Sequence, residues 1–321
     1  LVINADPKSL WQNLESDRAD KYWKEDNVHA LGEIAGKKLV VSSKRGRSHA
    51  HEGKFRDDAF DFSFNEENGW GVIAVSDGAG SARYSRRGSA IACETITEFF
   101  RSQVTPEQYT AFDDAIKNAH ADKNEDNQKK LSALVIDLIG RAAYEAHKKI
   151  GEEAAANNAH IKDYSATLIF ALVKKFDFGY CIASFWVGDG GIGIYNKEKQ
   201  EVFVLGVADG GEYAGQTRFL TMPDIFANNA HIQRIKLKIA EDFTALALMT
   251  DGITDPKFQT DANLNRVEKW NELWDDLGGN NGDNARVGFS HDNNEIEKEL
   301  DTWMDFWSPG NHDDRTIAIL F

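Results

Sequence analysis

Gly71-Val72-Ile73-Ala74-Val75-Ser76-Asp77-Gly78-Ala79-Gly80 is an apolar run that stops abruptly on an acid followed by glycines. Its β-branched and small apolar residues read as a strand buried on both faces. An aspartate at the end of such a strand is held by a rigid element. The glycine behind it allows a tight turn and close approach of its backbone carbonyl to a cation. The same pattern recurs in Phe185-Trp186-Val187-Gly188-Asp189-Gly190 and in Leu248-Met249-Thr250-Asp251-Gly252. Two adjacent pairs, Asp57-Asp58 and Asp313-Asp314, stand at the start of further strand-like runs beginning at Ala59 and Arg315. A single Asp-Gly is a common hairpin turn. Several of them on apolar strands point instead to carboxylates that converge. Oxygen ligands without a Cys or His cluster select hard cations, Mg²⁺ or Mn²⁺, over zinc. Two such ions would suit hydrolysis of a phosphate ester, because they polarise phosphoryl oxygens and lower the pKa of a bridging water.

Working outward, Lys38-Lys-Leu-Val-Val-Ser-Ser, Asp58-Ala-Phe-Asp-Phe-Ser-Phe and the Gly71 run predict three strands before any convincing helix. Beyond Gly80, Ile91, Ile96, Phe99 and Phe100 can share one helical face, and residues 106–156 have room for two or three helices. Strand texture returns from Tyr164, Gly179, Gly191 and Glu201, with short turns that favour antiparallel pairing. Residues 206–235, rich in Gly, Asn and Thr, read equally as a surface flap near a site or an ordinary long loop. Phe243–Thr250 reads as a buried strand, helices fit 263–277 and 293–306, and Arg315–Phe321 closes the chain as a strand. Strands grouped before and after central helices indicate a layered α+β fold rather than alternating βαβ units. Trp270, Trp274, Trp303 and Trp307 have helical spacing and suit a core or an interface. The division expected is an N-terminal extension over 1–37, packing through Trp11, Tyr22 and Trp23, and one domain over 38–321.

The 321 residues carry 52 acidic and 37 basic side chains, a net charge of −15. That surplus repels nucleic-acid phosphates and anionic membrane surfaces. Cys93 and Cys181 both lie in apolar stretches and read as core thiols of a reducing compartment. No run approaches the length of a membrane span, and the expectation is a cytoplasmic protein.

The order of motifs resembles the type 2C family of metal-dependent serine/threonine protein phosphatases, with variants like those of its bacterial subgroup. The segments that carry the resemblance span about residues 38–321. They are Gly46-Arg-Ser-His49 through Arg56-Asp57-Asp58, Val-Ser-Asp77-Gly78-Ala-Gly80, Ser165-Ala-Thr-Leu, Val-Gly188-Asp189-Gly190, Met-Thr-Asp251-Gly252-Ile-Thr-Asp255 and Asp313-Asp314-Arg-Thr316. The resemblance implies an α/β/β/α sandwich of two antiparallel sheets flanked by helices, with two or three Mn²⁺ or Mg²⁺ ions at one end. It implies that Asp77 bridges two cations, that the Gly78 carbonyl joins one, that Asp251 and Asp313 complete the first, and that Asp57 serves the second. Asp58 would orient water, and Asp189 with Asp255 would hold a third ion. The implied reaction is hydrolysis of phosphoserine or phosphothreonine by direct attack of a bridging water, on a phosphoprotein partner linked to a serine/threonine kinase. Two family features are missing here. Ala79 stands where many members have a histidine, and Gly53 replaces the phosphate-anchoring arginine. His49, and Arg47 or Arg56, are the candidates to take over these roles. The alternatives are a catalytically weak phosphoprotein-binding module of the same fold and a small-molecule phosphatase. Arg83, Arg86 and Arg87 could attract a phosphorylated segment or simply be solvated.

Overall fold

The computed structural model describes residues 7–206, 208–209 and 217–321. Two antiparallel sheets lie face to face. One is six-stranded in the order β1-β2-β11-β10-β7-β8, and the other is five-stranded in the order β3-β4-β5-β6-β9. The six-stranded sheet uses β1 (Asn27–Ile34), β2 (Lys37–Lys44), β7 (Gly191–Asn196), β8 (Glu201–Gly206), β10 (Ala245–Met249) and β11 (Arg315–Leu320). The five-stranded sheet uses β3 (Ala59–Asn65), β4 (Trp70–Ser76), β5 (Leu168–Phe176), β6 (Gly179–Val187) and β9 (Ile235–Ala240).

Alternation along the strands explains the layers. On β4, Ile73 and Val75 point into a core between the sheets, with Ile169, Ile182, Leu246, Leu248 and Leu320. Val72 and Ala74 point the other way, into a core with helices α2 (Ser85–Glu98), α3 (Pro106–Ala121) and α4 (Glu125–Ala156). The outer face of the six-stranded sheet turns Ala247, Met249, Ile317 and Ile319 towards α5 (Asp251–Phe258), α6 (Val267–Leu277) and α7 (Ile296–Trp303). Trp270 and Trp303 fill that third core. Both faces of the central strands are therefore buried, which is why β4 and β6 read as continuous apolar runs.

The expected α/β/β/α sandwich is present, with four differences of detail. The six-stranded sheet reaches back past the boundary expected at 37, because β1 pairs with β2 along its whole length. His49 lies on α1 (Arg47–Glu52), a short helix between β2 and β3 where no helix was expected. β9, within and beyond the end of the irregular stretch, pairs with β6. Asp251 opens helix α5, where no helix was expected. Of the expected flap, 207 and 210–216 lie outside the described residues. Its later part, through Phe226, packs on Tyr144 and His147 of α4.

Candidate metal centre

Register brings the aspartates together. Asp77 follows β4, and Asp57-Asp58 precede β3 at the same end of the sheet, since Ala59 pairs with Ser76. In the other sheet Asp251 follows β10 and Asp313-Asp314 precede β11, where Met249 pairs with Ile317. Asp189 sits in the β6–β7 connection, and Asp255 lies four residues along α5 from Asp251, on the same helical face. The glycines after Asp77 and Asp251 are needed for close approach. A Cβ on Gly78 would sit 2.7 Å from the Asp57 carbonyl oxygen, and one on Gly252 would sit 1.8 Å from that of Asp314.

Asp77, Asp189 and Asp251 each offer a carboxylate oxygen, all within 4.8 Å of one another. Asp58 Oδ1, Asp189 Oδ1 and Asp251 Oδ1 are buried without a hydrogen-bond donor. Burial first, and then the charges of Asp251, Asp58 and Asp313, raise Asp77 well above the ordinary carboxylate range. Asp251 is raised well above that range by burial and then by Asp189 and Asp313. Burial, then Asp314, pushes Asp57 up to about 6 and Asp58 up to about 7. Asp189, Asp255 and Asp313 are raised too, burial leading in each case. Carboxylates packed this closely, with buried oxygens lacking donors, fit hard divalent cations, whose charge would relieve both costs at once.

Asp314 is built differently. Its Oδ1 accepts from the Gly46 amide at 2.6 Å and lies 3.0 Å from His49 Nδ1, and its Oδ2 accepts from the Asp57 amide at 2.5 Å. Burial works to raise it, but the His49 pair and the two amides outweigh burial and hold it below the ordinary range. Asp314 thus lashes α1 to the Asp57 turn, leaving Asp313 as the ligand candidate of the pair. His49 is the complementary case. Burial opposes its charge, but the bond to Asp314 wins and lifts the imidazole to about 9. A His49 ring nitrogen also lies within 4.8 Å of an Asp313 carboxylate oxygen.

A family model described as Protein phosphatase 2C matches residues 45–303. The chain belongs to the protein phosphatase 2C family. It is a phosphoprotein phosphatase, a hydrolase acting on phosphoserine and phosphothreonine. Among solved structures, the serine/threonine phosphatase of S. agalactiae has a TM-score of 0.53 at 14% identity, over 92% of this chain and 99% of that one. The serine-threonine phosphatase 2C of Toxoplasma gondii gives 0.54 at 12% identity, covering 92% and 98%. A bacterial serine phosphatase gives 0.50 at 15%, covering 88% and 96%. These likenesses carry the fold. No curated protein sequence matches the chain. β11 and Asp313-Asp314 lie beyond the residues matched to the 2C phosphatase model, and the pairing of β11 with β10 puts them at the same end of the sandwich as Asp251.

Asp58 is fully buried, and its Oδ2 accepts from Thr250 Oγ1 at 2.9 Å and Thr316 Oγ1 at 2.7 Å. The arginines considered for phosphate contact are engaged elsewhere. Arg47 Nη2 donates to the Asp305 carbonyl at 2.7 Å, and its guanidinium lies 5.7 Å from the Trp307 ring centroid, so it is not gathered with the aspartates. Arg56 is buried and donates to Ser43 Oγ, the Asp58 carbonyl and the Glu25 carbonyl. Arg86 is buried against Asp20, and Arg87 pairs with Glu94. Sequence reasoning missed the polar shell formed by Thr250, Thr316, Ser43 and Asp314. A threonine two residues after Asp314 and another just before Asp251 were its visible trace.

Proposed function

We propose that this phosphatase works through two divalent cations, Mn²⁺ or Mg²⁺, held by Asp77, the Gly78 carbonyl, Asp251 and Asp313 with Asp57, and that Asp189 and Asp255 can take a third. The observation that carries this is the Asp77–Asp189–Asp251 cluster, in which one oxygen each of Asp189 and Asp251 is buried without a donor. Such ions, when bound, supply Lewis-acid polarisation of the phosphoryl oxygens and acidify the attacking water. The chain's own groups do the rest. Thr250 and Thr316 fix Asp58 by one oxygen, which leaves the other to orient water or accept its proton. The His49 imidazole, whose Nδ1 lies 3.0 Å from Asp314 Oδ1, is favoured in its protonated form by that carboxylate and can donate to the leaving alcohol, the role Ala79 cannot fill. The substrate we propose is a phosphoprotein made by a serine/threonine kinase. A reducing, cytoplasmic setting suits the two free, buried thiols.

The test is Mn²⁺-dependent hydrolysis of a set of phosphopeptides and of an aryl phosphate, with Asp77→Asn as control. Turnover of phosphopeptides that vanishes in Asp77→Asn is expected. No turnover despite measured metal occupancy would sink the catalytic reading.

A further inference from the structure

Residues 11–26 lie close behind the Asp57-Asp58 turn, tied down along their length. Trp11 packs its ring 4.4 Å from His312 and 5.3 Å from His51. The Leu14 amide donates to the Ala50 carbonyl at 2.9 Å, and the Arg45 amide donates to the Asp26 carbonyl at 2.8 Å. Asp20 pairs with Arg86 at 2.5 Å, and Tyr22 Oη donates to Glu153 at 2.9 Å. At the centre of this segment the half-buried Lys24 sends Nζ to three backbone carbonyls, those of Asp58 at 2.5 Å, Arg86 at 3.3 Å and Asp57 at 3.4 Å.

An ammonium has three N–H donors, and here three carbonyls from two elements meet them. Two of those carbonyls belong to the turn that carries Asp57 and Asp58, and the third lies on the first turn of α2. The same Asp57 carbonyl also accepts from Ser89 Oγ, and the Asp57 amide is held by Asp314. Both peptide groups flanking Asp57 are therefore clamped. With the backbone fixed, the direction of its carboxylate is restricted to few rotamers.

We infer that Lys24 is a positioning residue for the cation held by Asp57, and that the N-terminal segment is a working part of the phosphatase centre. This rests on the assignment of Asp57 as a metal ligand. Two physical effects of Lys24 have opposite signs, which makes the inference decidable. Loss of its positive charge near a cluster of carboxylates would by itself tighten cation binding. Loss of the clamp loosens the ligand and weakens it, as happens when groups behind a metal ligand are removed.

The experiment is calorimetric titration of the full chain with Mn²⁺ without substrate, for the parent, Asp57→Asn and Lys24→Met, with circular dichroism as the fold control. Asp57→Asn should weaken or remove one Mn²⁺ site. Lys24→Met should weaken that same site by roughly 10–100-fold. Its kcat on a phosphopeptide should return at saturating Mn²⁺. Unchanged or tighter Mn²⁺ binding in Lys24→Met, with Asp57→Asn impaired, overturns the inference and leaves the ligand assignment standing. Full Mn²⁺ occupancy without recovery of kcat also overturns it, because Lys24 would then act on the chemistry rather than through Asp57. Intact Mn²⁺ binding in Asp57→Asn removes both the ligand assignment and the inference. Where Lys24→Met does not fold, Asp20→Asn serves instead. It frees the segment from Arg86 and should weaken the same site by a smaller factor, and no change there overturns the inference.

Discussion

Asp77, Asp189 and Asp251 crowd their carboxylates together, and one oxygen each of Asp189 and Asp251 is buried without a donor, whereas Asp314, at the foot of the next strand, has a donor on each oxygen. Both regions lie at the same end of the sandwich and use the same side chain. The protein raises the pKa of the first group and lowers that of the second. The difference separates ligand from scaffold. A carboxylate meant for a cation is left short of protein donors, and one meant to hold the frame is saturated with them.

The strongest way to break this comparison is Asp77→Asn. Activity and Mn²⁺ binding should both fall to background. In metal-free protein the same variant should melt higher than the parent at pH 7.5, because it removes a buried carboxyl that must there be either charged among like charges or protonated above its ordinary range. A lower melting temperature there would contradict the crowded-charge account. Asp314→Asn should do the reverse. It strands the His49 imidazolium and should cost about 3–5 kcal/mol of stability with or without Mn²⁺. Denaturant unfolding measures this, and a neutral result would mean that Asp314 is no scaffold.

The pH dependence of metal-free stability sharpens the contrast. Asp57 and Asp58 rise from 3.8 to about 6 and about 7 on folding, so their contribution is fully present below about pH 4 and is lost as pH climbs through 6 to 7. The His49 contribution also belongs to a raised group. It is present below 6.5 and lost as pH rises through about 9. Melting curves of stripped protein should therefore decline first between about pH 4 and 7 and again between 6.5 and about 9. Added Mn²⁺ should cancel the first decline, and His49→Gln should remove the second. A single decline untouched by either change would refute the assignment. The smallest effect is expected at Arg47, whose guanidinium is taken up by Asp305 and Trp307. Arg47→Ala should leave KM for a phosphopeptide within about twofold, well under the 1.4 kcal/mol that separates tenfold effects. A tenfold rise would restore Arg47 as a phosphate contact.

Much of this was legible in the chain. Strands buried on both faces announce themselves by continuous apolar runs, so β4, β6 and β10 and their terminal aspartates stood out. The strand β1 did not. Its sequence, Asn-Val-His-Ala-Leu-Gly-Glu-Ile, belongs to a sheet edge where only Ile34 is buried, so no strong periodicity was needed. β9 hid for the same reason, with every residue half-buried. At the site, the carboxylates could be listed from sequence but not sorted. Whether Asp313 or Asp314 is saturated depends on the Gly46 and Asp57 amides, which only the fold brings near. The role of Lys24 was equally invisible, because its partners are backbone carbonyls and carry no side-chain signature.

The pairing of β1 with β2 bears on how the protein can be handled. Trimming the chain at residue 37 would strip β2 of its neighbour from Lys37 to Lys44. The Leu39-Val40-Val41 segment would then present an open row of amides and carbonyls, the kind of surface on which chains join edge to edge and precipitate. Low solubility of such a shortened protein would report an exposed sheet margin rather than a fault in the catalytic end.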